Sequence, residues 1–265
     1  MEFLALVIYV LIGGIAGLLA GLLGISGGVI TVPCLMFVFR FLDFPSDILI
    51  HMAIGTSLSA MVFNAITSAW AHERRGAVLW KLVIPMVPGL LLGSIIGSLV
   101  ARVLPDLILK EIFAIFECLI GIYFFLPYKE KTYEDLFPMP RQLGLNLIGF
   151  GIGGLSSLLG IGGGIITVPI LLAIQVPVKK AIGTSAATGF LITLTAAIAY
   201  LFFGLGKVTH ADSIGYLYLP AFLIISIVTA FTAPYGAKLA HVLPTPLLRR
   251  IFAVALFLAG ILMFF

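Results

Sequence analysis

Charged or proline-bearing turns cut this chain into eight apolar blocks, at residues 3–42, 48–71, 77–104, 108–126, 143–176, 181–204, 214–243 and 247–265. A helix needs about 20 apolar residues to cross the hydrocarbon core of a bilayer, so six blocks each fit one span. The first and fifth are too long for one span and marginal for two. With 62% hydrophobic and 10% charged residues and a mean hydropathy of +1.24, the chain lacks the polar residues needed to cover a soluble globule. The class expected is all-α, a polytopic membrane protein with the lipid bilayer as its first partner. The net charge of +4 sits in the turns, where it is a topology signal rather than a nucleic-acid patch. Cys34 and Cys118 match no disulfide or metal spacing, and nothing implies a cofactor or a bound metal. The start, Met-Glu-Phe, has no basic leader region, so the first block is expected to be retained structure.

Both long blocks are interrupted in the same way. Gly24-Ile25-Ser26-Gly27-Gly28-Val29-Ile30-Thr31-Val32-Pro33 in the first returns as Gly160-Ile161-Gly162-Gly163-Gly164-Ile165-Ile166-Thr167-Val168-Pro169 in the fifth. Ala53-Ile54-Gly55-Thr56-Ser57 returns as Ala181-Ile182-Gly183-Thr184-Ser185, and Val103-Leu104-Pro105 as Val242-Leu243-Pro244. The offset is 136 at the first motif, 128 at the second and 139 at the third, so the copies differ in turn length. Repeat 1 is assigned to residues 1–128, a polar linker to 129–142 and repeat 2 to 143–265.

If each glycine-broken block turns back to the side it entered from, one face collects eleven of the fifteen basic residues; if it crosses once, no bias appears. Cytoplasmic loops are rich in Lys and Arg, so the hairpin reading is favoured, with both termini outside and the linker inside. The two repeats are then inverted, each a glycine-broken helical hairpin plus three transmembrane helices.

Matched Gly/Pro interruptions in two inverted halves are the sequence mark of a midplane transport site. A proline shortly after the glycines suits the first turn of a new helix, whose free N–H groups and dipole favour an anion, while glycine admits the ligand to the backbone. The substrate-binding candidates at the breaks are therefore Gly24, Ser26, Gly27, Gly28, Thr31, Gly160, Gly162, Gly163, Gly164 and Thr167. Thr56, Ser57, Thr184 and Ser185 offer hydroxyls that either donate to an anion or bond back to their own helix. Asn64 is a cargo contact or interhelical glue. Glu117, an acid in the middle of an apolar span, is a proton-coupling candidate with Leu256 as its counterpart. His51, His72, His210 and His241 all fall near block ends, where interfacial roles are expected. Gly24-Ile25-Ser26-Gly27 also fits the G-x-S-G pattern of intramembrane serine proteases, but no histidine sits at mid-span and the second copy has Gly162 in place of Ser26. No catalytic residue is assigned.

Gly21-Leu22-Leu23-Gly24-Ile25-Ser26-Gly27-Gly28 with Thr31 and Pro33, repeated as Ser157-Leu158-Leu159-Gly160-Ile161-Gly162-Gly163-Gly164 with Thr167 and Pro169, resembles the TauE/SafE family, also called the toluene-sulfonate uptake permeases. The resemblance covers nearly the whole chain. It implies a transporter of sulfite, thiosulfate, sulfoacetate or other sulfonates in a bacterial or archaeal cytoplasmic membrane. A passive anion channel and a carrier of a neutral small organic solute are the other readings.

Overall fold

The computed structural model describes residues 2–24, 27–126, 142–208 and 212–263. The described elements run α1 (Glu2–Leu23), α2 (Gly28–Phe41), α3 (Leu49–Glu73), α4 (Trp80–Val103), α5 (Asp106–Phe125), α6 (Gln142–Leu159), α7 (Gly164–Ala173), α8 (Val178–Gly204), the two-residue strands β1 (Ser213–Ile214) and β2 (Leu217–Tyr218), α9 (Leu219–Val242) and α10 (Thr245–Leu262). The strands pair antiparallel, Ser213 with Tyr218 and Ile214 with Leu217, and form a small ribbon ahead of α9. Seven of the described helices are long and apolar enough to cross a membrane: α1, α3, α4, α6, α8, α9 and α10. The protein is all-α and polytopic. All but the last residue of the proposed linker lies outside the described residues.

The long first and fifth blocks are helices broken at the glycines. α1 stops at Leu23 and α2 restarts at Gly28; α6 stops at Leu159 and α7 restarts at Gly164. The restarted arms are short, 14 and 10 residues, which at 1.5 Å per residue is about 21 and 15 Å against a hydrocarbon core of about 30 Å. One detail differs from the sequence expectation. Pro33 and Pro169 are the sixth residues of α2 and α7, in the second turn and not the first. At that position a proline removes a ladder hydrogen bond, so the carbonyls of Val29 and Ile165 lose their usual intrahelical donors.

Packing pairs elements across the two copies. α1 lies on α9 as α6 lies on α4, and α3 contacts α9 as α8 contacts α4; within each copy, α2 rests on α3 as α7 rests on α8. The α4–α6 and α1–α9 seams are tight because glycine lines them. A Cβ at Gly93 would fall 2.1 Å from the Phe150 carbonyl oxygen, and one at Gly21 would fall 1.9 Å from that of Ala233. Counterpart helices run antiparallel: Gly121 of α5 sits beside Ala253 and Phe257 of α10, while Gly260 sits beside Ala114 and Cys118. α3 and α8 do the same, because the turn after α3 lies against the start of α8, and the ribbon after α8 lies against the start of α3.

The connections gather at two ends. At one, Lys180 donates to the carbonyl of Gly76 and Lys179 to that of His241 at 2.8 Å. At the other, Phe44 packs edge-on against Tyr218 with ring centres 5.3 Å apart, and Asp106 accepts the Ile50 N–H at 2.8 Å.

Candidate functional site

The two glycine breaks touch one another. A Cβ at Gly28 would lie 2.4 Å from the Gly160 carbonyl oxygen and 3.0 Å from the Ile161 Cα, so the first arm starts against the second break. Five glycines hold positive φ in the two breaks: Gly24 at 67°, Gly27 at 92°, Gly160 at 70°, Gly162 at 65° and Gly163 at 88°. Only glycine adopts such a run without strain, and this is why the breaks cannot be built from other residues. Gly27 and Gly163 are the N-caps of α2 and α7, and neither helix has a side-chain cap. Each cap carbonyl accepts two backbone N–H groups of its own helix, those of Ile30 and Thr31 from Gly27 and those of Ile166 and Thr167 from Gly163. Gly27, Gly28 and Gly160–Gly164 are all buried. Two helix dipoles thus direct their positive ends into a region enclosed by protein, and no candidate residue there carries a charge.

Each break also rests on the other copy's Gly-Thr-Ser helix. Ser185 donates its hydroxyl to the Gly24 carbonyl at 2.7 Å and to that of Ile182 at 2.9 Å. Gly160 in turn faces the Ile54 side chain, with its Cβ position 2.6 Å from Ile54 Cγ2. The threonines of these motifs do matching structural work. The Tyr218 N–H donates to Thr56 Oγ1 and the Leu79 N–H to Thr184 Oγ1, both at 3.0 Å. Tyr218 and Leu79 are the N-cap residues of α9 and α4, so each threonine anchors the entry of a helix in the opposite copy. The preceding glycines make this possible: a Cβ at Gly55 would strike the Tyr216 carbonyl oxygen at 2.3 Å, and one at Gly183 that of Ala77 at 2.6 Å.

Residues 9–263 match the family model described as "Sulfite exporter TauE/SafE". The chain belongs to the TauE/SafE family. It is 35% identical over 265 residues to a probable membrane transporter protein of Haemophilus influenzae, covering 99% of both chains. It is 31% identical over 267 residues to the probable membrane transporter protein MJ0441 of Methanocaldococcus jannaschii, covering 99% of this chain and 97% of that one. With YunE of Bacillus subtilis, also named a probable membrane transporter protein, it shares 30% identity over 219 residues, 76% of this chain and 80% of that one. No solved structure matches. Membership makes the chain a membrane transporter and places it in a family of transporters rather than of enzymes.

The remaining candidates of this TauE/SafE protein fall into two groups. Beside the breaks stand Asn64, whose Nδ2 is 3.2 Å from the Cβ position of Gly27, and Thr167 in the first turn of α7; Thr167 Oγ1 and, on α3, Ser57 Oγ are buried without a hydrogen-bond partner among the described residues. Thr31 differs from its counterpart Thr167, because its hydroxyl donates to the Gly27 carbonyl at 3.0 Å. Ser26 lies outside the described residues. Glu117 belongs to a second region: it is fully buried on α5, whose main partner is α10, and neither carboxyl oxygen has a hydrogen-bond partner among the described residues.

A cavity of about 500 Å³ between α1, α2 and α10 lies on the other side of α2 and is not this site, since its lining is aliphatic but for Arg250. The histidines depart most from the sequence expectation. His51 and His72 are buried, at 5% and 0% exposure, where interfacial residues were expected, and His210 is outside the described residues. His51 bonds Asp106 through Nδ1 and the Ala101 carbonyl through Nε2, which ties α3 to the start of α5. His72 meets His241 of α9. The repeat register held a signal for this pair: the counterparts of His72 and His241 are Tyr200 and Arg102, polar residues at matched places near helix ends.

Proposed function

We propose that this transporter carries a sulfur-containing anion, such as sulfite, thiosulfate, sulfoacetate or another sulfonate, through a bacterial or archaeal cytoplasmic membrane by alternating access. The observation that carries the reading is the meeting of two uncapped helix N-termini at buried glycines, a place where backbone N–H groups and two dipoles favour negative charge without a fixed cation. Small oxyanions suit such a site because their oxygens accept from several N–H donors at once. Asn64 and Thr167 add donors beside the breaks, with Ser57 on α3. Sulfur as the central atom comes from the family's description, and that description alone favours export.

Burial of both breaks speaks for alternating access over an open channel, since an anion reaches them only if the halves move. The antiparallel packing of the counterpart pairs α5–α10 and α3–α8 is what inverted repeats require, and inversion lets one rocking motion exchange the exposed face. Repeats 1–128 and 143–265 are the two moving parts in this reading, with the 129–142 linker in the cytoplasm and both termini outside. Glu117, buried in an apolar helix, is the proton carrier we assign to the cycle.

Purified protein in proteoliposomes tests this directly. Labelled sulfite or sulfoacetate should accumulate uphill under an imposed pH gradient; flux that only equilibrates would establish a channel instead. Labelling of a cysteine placed in the linker should occur from the cytoplasmic face alone.

A further inference from the structure

His72 and His241 form a pair that the transport site does not use. His72 is in the last turn of α3, fully buried, and His241 is in the last turn of α9, half-buried. His72 Nδ1 is 3.1 Å from His241 Nε2, and His72 Nε2 is 2.9 Å from the carbonyl oxygen of Gly21, three residues before the first break's Gly24. A carbonyl only accepts, so His72 Nε2 carries a hydrogen. His72 Nδ1 then accepts, and the single hydrogen between the rings sits on His241 Nε2 when both rings are neutral. The pair can take up one more proton. It enters at Nδ1 of half-buried His241, whose Nε2 hydrogen stays shared with His72 Nδ1 across the 3.1 Å gap. The pair then carries one positive charge, which burial keeps mainly on the His241 ring.

We propose that His72 and His241 are a proton-binding site, and that its occupancy controls the packing of the C-terminal end of α1 and hence of the first glycine break. This rests on the proton-coupled reading above. The charged groups that face the pair are Arg75 from the α3–α4 turn and Lys179 and Lys180 from the first turn of α8. α1 contributes only the Gly21 carbonyl and α9 only His241, while Glu73 and Lys238 are exposed. Every facing charge is positive, so the added proton meets repulsion in a low-dielectric place. The packed arrangement of α1, α3 and α9 at this end therefore disfavours the proton, and by linkage a fall in pH favours the arrangement in which this end is loosened and the pair is hydrated. An anion at the adjacent break offsets the added charge, so proton and anion occupancy favour each other.

The other copy lacks the device. At the equivalent place Tyr200 donates to the Leu158 carbonyl at 3.4 Å, and the Arg102 guanidinium lies over the Phe203 ring at 5.1 Å. Histidine is the side chain whose charge ordinarily changes between pH 5 and 8; tyrosine and arginine are not.

The chain has only four histidines, which suits nitrogen NMR of histidine-labelled protein in lipid nanodiscs. At pH 8 a scalar coupling should join His72 Nδ1 to His241 Nε2 through the shared hydrogen. As pH falls from 8 through and below the ordinary histidine range, the two rings should titrate together, and amide exchange over residues 17–23 should rise by about tenfold, within the usual span of a coupling between sites. His241→Gln should stop His72 from titrating, whereas His72→Gln should leave His241 titrating alone with exchange in α1 unchanged by pH. Rings that titrate independently, with no pH effect on α1, overturn the proposal even if sulfite or sulfoacetate flux proves proton-coupled. A shared titration with pH-dependent α1 exchange, but no proton movement alongside the anion in proteoliposomes, upholds the site and overturns the coupling.

Discussion

Gly27 and Gly163 hold the same place in their two breaks, with φ of 92° and 88°, yet their neighbours differ in kind. A side chain grafted on Gly27 would meet the Asn64 amide nitrogen at 3.2 Å, and one on Gly163 would meet the Ile192 Cδ1 at 2.5 Å. Asn64 and Ile192 are counterparts in the repeat, each on the third helix of its copy. The threonines behind the caps differ too: Thr31 bonds back to the Gly27 carbonyl, and Thr167 keeps its hydroxyl unengaged among the described residues. The backbone of the site is duplicated and its side chains are not. Under the proposed function, two helix ends attract an anion equally from both copies, and the differing side chains would orient it, with its charged end toward Asn64 and any hydrocarbon toward Ile192.

The shared part should be the more sensitive to change. Gly28→Leu places a side chain where even a Cβ meets the Gly160 carbonyl oxygen at 2.4 Å, so sulfite and sulfoacetate flux in proteoliposomes should vanish. Gly163→Leu should also abolish flux: the movable end of Ile192 could give way, but at φ 88° any side chain strains the backbone, so assembly judged by size-exclusion chromatography should fall as well. The unshared part should give graded effects. Asn64→Leu should lower flux by roughly ten- to a hundredfold, the loss of one hydrogen bond to a charged group at about 1.5–3 kcal/mol, whereas Ile192→Leu should stay within about threefold. Equal losses from both would show that the breaks are used alike. Thr167→Val should weaken sulfite transport by about threefold to tenfold, one ordinary hydrogen bond, and Thr31→Val by less, since the Thr31 hydroxyl is already engaged with its own helix.

Where the copies match, mutations should match. Thr56→Val removes the acceptor of the half-buried Tyr218 N–H and Thr184→Val that of Leu79, so each should cost about 0.5–1.5 kcal/mol of stability by thermal unfolding in detergent, with transport by the surviving protein little changed. A large difference between these two would break the equivalence of the halves at their best-matched contact.

These threonines also mark where sequence reading ended. Their repetition is plain in the sequence, and their hydroxyls suggested either cargo binding or bonds within their own helix. The structure gives Thr56 and Thr184 a third use, capping a helix entry in the opposite copy, which no spacing within one copy encodes. The histidines teach the same point. His72 and His241 are 169 residues apart, each near the end of an apolar block, and read separately they look like ordinary interfacial residues. Pro33 and Pro169 lie in the second turn because α2 and α7 already begin at Gly28 and Gly164, the last glycine of each run, and not beyond it.

Membrane class, helical content, the repeat and the two breaks are set by local chemistry: apolar length, charge in turns, and glycine runs that no continuous helix accommodates. These signals act over a few residues, and the sequence determines them by itself. Which helix of one copy lies against which helix of the other, that the two breaks touch, and that a buried histidine meets another beside the first break follow only from tertiary packing. Glycine-lined seams such as Gly21 on Ala233 and Gly93 on Phe150 bring backbones close enough to fix those partners, and that complementarity exists only between segments far apart in the chain.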